Sequence, residues 1–151
     1  MYDEGYQNIT NVDISLSVVK FMEDKLKTKC PNMTYKHLDV LNMKETFQSA
    51  EFNVVIDKGT LDTVLCGDNS EANVEKMLIE VNRVLKPNGV YICISYGSEE
   101  QRKEFLKNKT INFWDVKVDK VAKPSVILSG QITDEKDPKN YHFIYTMNKL
   151  A

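Results

Sequence analysis

The sequence predicts an α/β fold on a doubly wound, mostly parallel sheet that ends in antiparallel strands. Three observations predict it. Short apolar runs alternate with segments whose apolar residues recur at helical spacing. The early apolar runs end directly in an aspartate. The last segments change to strict apolar–polar alternation, the signature of antiparallel pairing. With 151 residues and 42% hydrophobic content the chain can build one domain over 1–151, and it is too short for two.

Taken in order, Ile9, Thr10, Asn11 and Val12 read as a strand that ends at Asp13. Ser15 then caps a helix with Val18, Val19, Met22 and Leu26 on one face. Pro31 bars that helix from continuing. A short strand from about Met33 to Leu38 ends at Asp39, and a continuously apolar strand, FNVVI, ends at Asp57. After a turn-rich loop, Val74, Leu78, Val81 and Leu85 recur at helical spacing until Lys86, Pro87, Asn88 and Gly89 stop the helix. VYICIS at 90–95 is another strand buried on both faces, and Ser98 with Gln101 makes a capping box opening a helix toward Phe105 and Leu106. Trp114, Val116 and Val118 alternate with polar residues, as do Tyr141, Phe143, Tyr145 and Met147, which implies a hairpin-like ending. Between them, 123–140 combines a candidate strand at Val126, Ile127 and Leu128 with a charged, proline-containing loop.

Charge narrows the function. Twenty Lys and Arg face 22 Asp and Glu, and Arg83 and Arg102 are the only arginines, so a general nucleic-acid binder is excluded. No apolar run approaches the ~20 residues that cross a bilayer, and the N-terminus does not read as a signal peptide. The expectation is a cytoplasmic protein without a membrane partner. Cys30, Cys66 and Cys93 fit neither a disulfide framework nor a zinc site and read as buried or idle thiols. His37 and His142 read as sheet-face histidines, and no metal site is expected.

In a doubly wound sheet the strand-to-helix loops gather at the carboxyl edge, where ligands bind. Asp13, Asp39 and Asp57 each follow an apolar strand, so the fold is expected to bring three carboxylates to one rim. A carboxylate at the end of the first strand can accept two hydrogen bonds from a ribose diol, which makes Asp13 the candidate. Asp39 on the neighbouring strand is placed to accept from an adenine amine while the N–H of Val40 donates to the ring. Each acid alone reads equally as a local turn or helix cap. Leu61 and Val64 are most simply packing residues.

These residues carry a family resemblance. ITNVDIS at 9–15, LDV at 38–40, VVIDKGTLD at 54–62 and VLKPNG at 84–89 resemble class I S-adenosylmethionine-dependent methyltransferases. The DKGTLD string resembles, more narrowly, the methyltransferase-13-like group, which includes enzymes that methylate lysines or the N-terminus of eukaryotic elongation factor 1A. The likeness is strong over 1–98 and looser beyond, where YHFIY at 141–145 resembles the family's final antiparallel strand.

The resemblance implies a Rossmann-like fold, S-adenosylmethionine as cofactor, and a protein lysine or amine, on elongation factor 1A for instance, as acceptor. It implies that Asp13 and Ile14 hold the ribose side, and that Asp39 and Val40 contact adenine. Asp57, Lys58 and Gly59 would line the cofactor's reactive end and the substrate entrance, with Asp57 and Lys58 in the catalytic role. Thr60 and Asp62 would support that loop on the substrate side. Read without the resemblance, Asp62 is a helix cap and Lys58 a solvated surface lysine.

Such enzymes begin with a strand and a glycine-rich turn upstream of the ITNVD strand. Met1 to Tyr6 resembles the end of the first helix and its glycine cap, so the first strand and glycine loop are expected to be absent. Weak or no activity is the corresponding expectation, with a second copy or a partner chain covering the exposed sheet edges, or the two flanking strands pairing directly. Two rival readings are a non-catalytic methyltransferase-like binding module and a nicotinamide-dependent dehydrogenase. The dehydrogenase explains Asp13 but leaves DKGTLD and the antiparallel ending unexplained.

Overall fold

A computed structural model describes residues 1–124 and 137–150, so the candidate strand at 126–128 lies outside the described residues. The chain divides into two units, Met1–Glu45 and Thr46–Ala151. In the first, a 3-10 turn at Tyr2–Glu4 closes on Gly5, whose φ of 98° puts it in the left-handed conformation that glycine tolerates best. Strand β1 (Thr10–Asp13), helix α1 (Leu16–Leu26) and strand β2 (Thr34–His37) then form a parallel β-α-β unit in which Thr10 faces Thr34 and Asp13 faces His37. Ser15 caps α1 as its sequence position predicts: its Oγ accepts the N–H of Val18 at 3.4 Å.

The second unit holds β3 (Phe52–Lys58), α2 (Thr60–Leu65), α3 (Ser70–Val84), β4 (Leu85–Ser95), α4 (Glu99–Leu106), β5 (Trp114–Ala122) and β6 (Tyr141–Lys149). Its sheet runs β3-β4-β6-β5. The β3–β4 pair is parallel, and β6 runs antiparallel to both β4 and β5. The alternation read at both ends of the hairpin is the cause: Phe143, Tyr145 and Met147 turn one way into the interior, and Ile144 and Thr146 turn the other way.

Tyr91, Cys93, Tyr145 and Met147 form the buried side of the sheet and are joined in the interior by Leu61, Val74, Leu78 and Val81 of α2 and α3. Trp114 is fully buried, and its Nε1 donates to the carbonyl of Leu106 at 2.9 Å, which satisfies the one polar atom of the ring. Each such aromatic removes about 150–250 Å² from water, about 4–6 kcal/mol at ~25 cal/mol per Å². Among the described residues no helix is long and apolar enough to cross a membrane.

Two details differ from the sequence reading. Helix α3 ends at Val84, and β4 begins at once, because Leu85 is fully buried and pairs with Phe52. The next paired residue, Val54, faces Val90, so residues 86–89 bulge out of the strand instead of separating it from the helix. Gly89 is required there for space: a Cβ would stand 2.8 Å from the carbonyl oxygen of Lys86 and 3.1 Å from that of Asn53. The end of α3 is closed by a residue from the far end of the chain. The Lys149 ammonium donates to the carbonyls of Asn82 (2.6 Å) and Leu85 (2.8 Å), where the helix dipole is negative, and burial lowers its pKa.

Candidate functional site

The first unit places two of the predicted acids side by side. Asp13 ends β1 opposite His37, and Asp39 lies two residues beyond the end of β2, so both leave the carboxyl ends of adjacent parallel strands. Both are exposed. Each is shaped by its own backbone: Asp13 Oδ1 accepts the N–H of Ser15 at 2.8 Å, and Asp39 Oδ1 accepts that of Leu41 at 2.9 Å. His37, in the sheet-face position expected of it, contacts the carbonyl of Ile14 through its ring nitrogen at 2.9 Å, tying the two strand ends together. The Ile14 side chain is 69% exposed, and Val40 is half-buried. The acceptor set fits adenosine: two exposed carboxylates that can accept from a diol and an amine, beside an exposed apolar side chain.

The second unit places Asp57, Lys58, Gly59, Thr60 and Asp62 on the turn from β3 into α2. Asp57 is buried, and its carboxylate is surrounded by donors. Oδ1 accepts the N–H of Thr60 (2.7 Å), and Oδ2 accepts the N–H of Leu61 (3.0 Å), the hydroxyl of Tyr91 (3.0 Å) and the thiol of Cys93 (3.5 Å). The acid therefore satisfies orphan N–H groups at the start of α2 and favours the helix dipole. Burial, with the Asp57 carboxylate next to them, pushes the Tyr91 hydroxyl well above its ordinary pKa and also raises the Cys93 thiol, so both stay protonated donors. Lys58 is exposed at the strand end, level with Ile94 of β4. Gly59 has φ 82° with open space around its Cα hydrogen, and its N–H binds the carbonyl of Ile94 at 3.0 Å, which fastens the turn to β4. Leu61 is fully buried, the packing role expected of it.

Asp62 does not cap a helix. From the first turn of α2 it reaches across to the end of β4. Its Oδ1 accepts from the Ser95 hydroxyl (2.5 Å) and from Arg102 Nη2 (2.9 Å), and its Oδ2 accepts the N–H of Tyr96 (2.9 Å). Arg102 Nε also donates to Ser95 Oγ at 3.1 Å, and both charged side chains are 15% exposed. Burial by itself would raise the Asp62 pKa, but the hydrogen bonds from Ser95, Tyr96 and Arg102 and the guanidinium charge outweigh it and hold the carboxyl below the ordinary range. The segment after β4 is fixed further by Gly97 N–H on Ser95 Oγ (3.0 Å) and by the Tyr145 hydroxyl on the carbonyl of Gly97 (2.7 Å). A Cβ at residue 97 would collide with Arg102 Cζ, so any other residue there displaces the guanidinium from its place beside Asp62.

Sequence reasoning missed Ser95, Tyr96, Arg102 and Tyr145 as parts of this site. Arg102 is 40 residues from Asp62, and no local pattern joins them. One signal was available: in a chain whose basic residues are nearly all lysine, an arginine on a short helix marks a place where a planar, multidentate donor is needed.

Comparison with known proteins identifies the family. A family described as "Methyltransferase domain" matches residues 2–146. The chain is 40% identical over 124 residues to the eEF1A lysine and N-terminal methyltransferases of Bos taurus and Homo sapiens, a stretch that covers 81% of this chain and 18% of each relative. The EEF1A lysine methyltransferase 4 of Mus musculus is 34% identical over 99 residues, 60% of this chain and 38% of that protein. The chain thus spans about a fifth of the length of the eEF1A lysine and N-terminal methyltransferases it matches.

Among solved structures, one from echinomycin biosynthesis has a TM-score of 0.71 at 14% identity, covering 98% of this chain and 68% of that one. The N-methyltransferase NodS from Bradyrhizobium japonicum, in complex with S-adenosyl-L-homocysteine, has a TM-score of 0.63 at 9% identity, covering 93% and 65%. At those identities the likeness is one of fold, the Rossmann-like fold of class I methyltransferases. The chain belongs to the methyltransferase-domain family.

Proposed function

We propose that this chain binds S-adenosylmethionine and takes part in methyl transfer to a lysine or amine of a protein, with elongation factor 1A as the first acceptor to test. The observation that carries the reading is the pair of exposed acids, Asp13 and Asp39, at adjacent parallel strand ends, in a chain of this family. The names of the relatives at 40% identity supply the acceptor class.

S-adenosylmethionine supplies the electrophile, a methyl group on a sulfonium, and the protein supplies position. Asp13 accepts the ribose hydroxyls, with Ile14 against the sugar, and Asp39 with the Val40 N–H reads the adenine edge. Within the second unit, Lys58, Gly59 and Thr60, on the turn from β3 into α2, are assigned to the acceptor side. Asp57 acts by positioning: its carboxylate, engaged by four donors, holds the turn in shape. Asp62 does the same for the segment after β4. A cytoplasmic location suits an acceptor of this kind.

The test is thermal stabilisation by S-adenosylhomocysteine, because a ligand that binds only the native state raises its stability. Asp13→Ala is expected to weaken binding by about 10- to 100-fold, the loss of a charge-assisted contact of about 1.5–3 kcal/mol. No shift at millimolar ligand would remove the cofactor from the proposal. Labelled cofactor with purified elongation factor 1A tests the acceptor, and label found only in small molecules refutes a protein acceptor.

A further inference from the structure

Tyr96 is the first residue after β4 and is 64% exposed, yet the segment that bears it is held by several side-chain hydrogen bonds. Its N–H is bound by Asp62, its neighbour Ser95 by Asp62 and Arg102, and Gly97 by Ser95 and Tyr145. A part-buried ion pair that holds an exposed ring in place points to a use for the ring face. The ring lies 5.3 Å from that of His142, and the Lys123 ammonium stands over it at 5.1 Å from the centroid. Lys58, Ile94 and Ile144 are paired neighbours across β3, β4 and β6, and Tyr96 and His142 each lie two residues beyond that row, past the Ser95–Phe143 pair and toward the carboxyl end of β4. An aromatic face attracts a cation through its quadrupole, and that attraction depends little on which alkyl-ammonium supplies it.

We propose that the face of Tyr96, backed by His142, seats the alkyl-ammonium side chain of the methyl acceptor, and that Lys123 holds this place until the acceptor displaces it. The inference rests on the protein-amine reading above and makes Tyr96 and Lys123 determinants of acceptor affinity. Exchange is cheap in structural terms. The polar contact that keeps the Lys123 ammonium there is an exposed one, to the carbonyl of Lys139 at 2.6 Å, and its replacement is another ammonium of equal charge. Asp62, Ser95 and Arg102 act as positioning residues for the ring, because they bind its backbone or its neighbours and touch no acceptor.

The experiment is an NMR titration of the full chain with acetyl-Gly-Lys-Gly-amide and with the same peptide carrying norleucine. The Tyr96 ring signals are assigned by their loss in Tyr96→Leu, and correct folding of each variant is read from Trp114 fluorescence. The expected result is a saturable shift of the Tyr96 ring with the lysine peptide and none with norleucine. Lys123→Met is expected to tighten binding about fivefold, since the internal competitor is gone, and Tyr96→Phe to keep it because the ring face remains. Equal response to lysine and norleucine, or no response in either the wild type or Lys123→Met, overturns the proposal. S-adenosylhomocysteine binding, measured on the same samples, separates the two ideas. A silent ring with normal ligand binding sinks the Tyr96 seat alone, and a responsive ring without ligand binding sinks the methyl-transfer reading alone.

Discussion

Asp62→Asn removes the charge from a carboxylate that joins α2, the end of β4 and α4 while keeping its shape. In the wild type that carboxylate accepts from Ser95, the Tyr96 N–H and Arg102, and it is the ion-pair partner of a guanidinium that is 15% exposed. Breaking a buried pair costs about 3–5 kcal/mol. This pair lies near the surface and Asn keeps one acceptor, so about 2–3 kcal/mol is expected. Trp114 is the single tryptophan and is fully buried in the same unit, so its fluorescence during urea unfolding reports the relevant transition. At a slope of about 1–3 kcal/mol per M, the midpoint falls by about 0.7–3 M.

The pH dependence carries the sharper test. The Asp62 pKa is lowered in the folded chain from 3.8, so its contribution is full above that value and is lost as pH falls through the folded-state pKa. The gap between wild type and Asp62→Asn is therefore constant from neutral pH down to about 4.5 and narrows below it. A gap under about 0.3 kcal/mol at pH 7, or one that stays undiminished at pH 2.5, refutes the assignment of this stability to an ionised Asp62.

The two glycine turns separate conformational strain from crowding. Gly59→Ala, in open space at φ 82°, is expected to cost about 1–2 kcal/mol, and Gly59→Asn less, since Asn tolerates the left-handed region. Gly89→Ala is expected to cost about 1–3 kcal/mol for a different reason, contact with two carbonyl oxygens, and Asn brings no relief there. Equal rescue by Asn at both positions contradicts this distinction. Lys149→Met removes two hydrogen bonds from the end of α3 and is expected to lower stability by about 1–3 kcal/mol. A variant as stable as the wild type in urea shows that the helix end is satisfied some other way.

What the sequence made legible follows the range of the interaction. The Ser15 cap and the capping box, in which the Ser98 N–H donates to Gln101 Oε1 at 3.0 Å, act within one helical turn and were readable from spacing alone. The β5–β6 pairing was readable because burial on one face leaves a period of two. The start of β4 was misplaced because Lys86, Pro87, Asn88 and Gly89 read as a stop, whereas the partner that pulls Leu85 into the sheet, Phe52, is far away in sequence. The acids of the candidate site were found by position, but their tasks were not. Asp57 and Asp62 differ in what surrounds them: Tyr91 and Cys93 for one, and Ser95, Tyr96 and Arg102 for the other, and tertiary structure alone supplies those neighbours.

The guanidinium of Arg102 occupies the volume a side chain at residue 97 would need, and this ties the two positions into one evolutionary unit. A lineage that replaces Arg102 with a shorter residue releases position 97 to accept alanine or serine. A lineage that retains the arginine in its contact with Asp62 keeps glycine at 97. Homologues should therefore show the two sites drifting together, with Asp62 losing its acidity only on branches where the arginine has already gone.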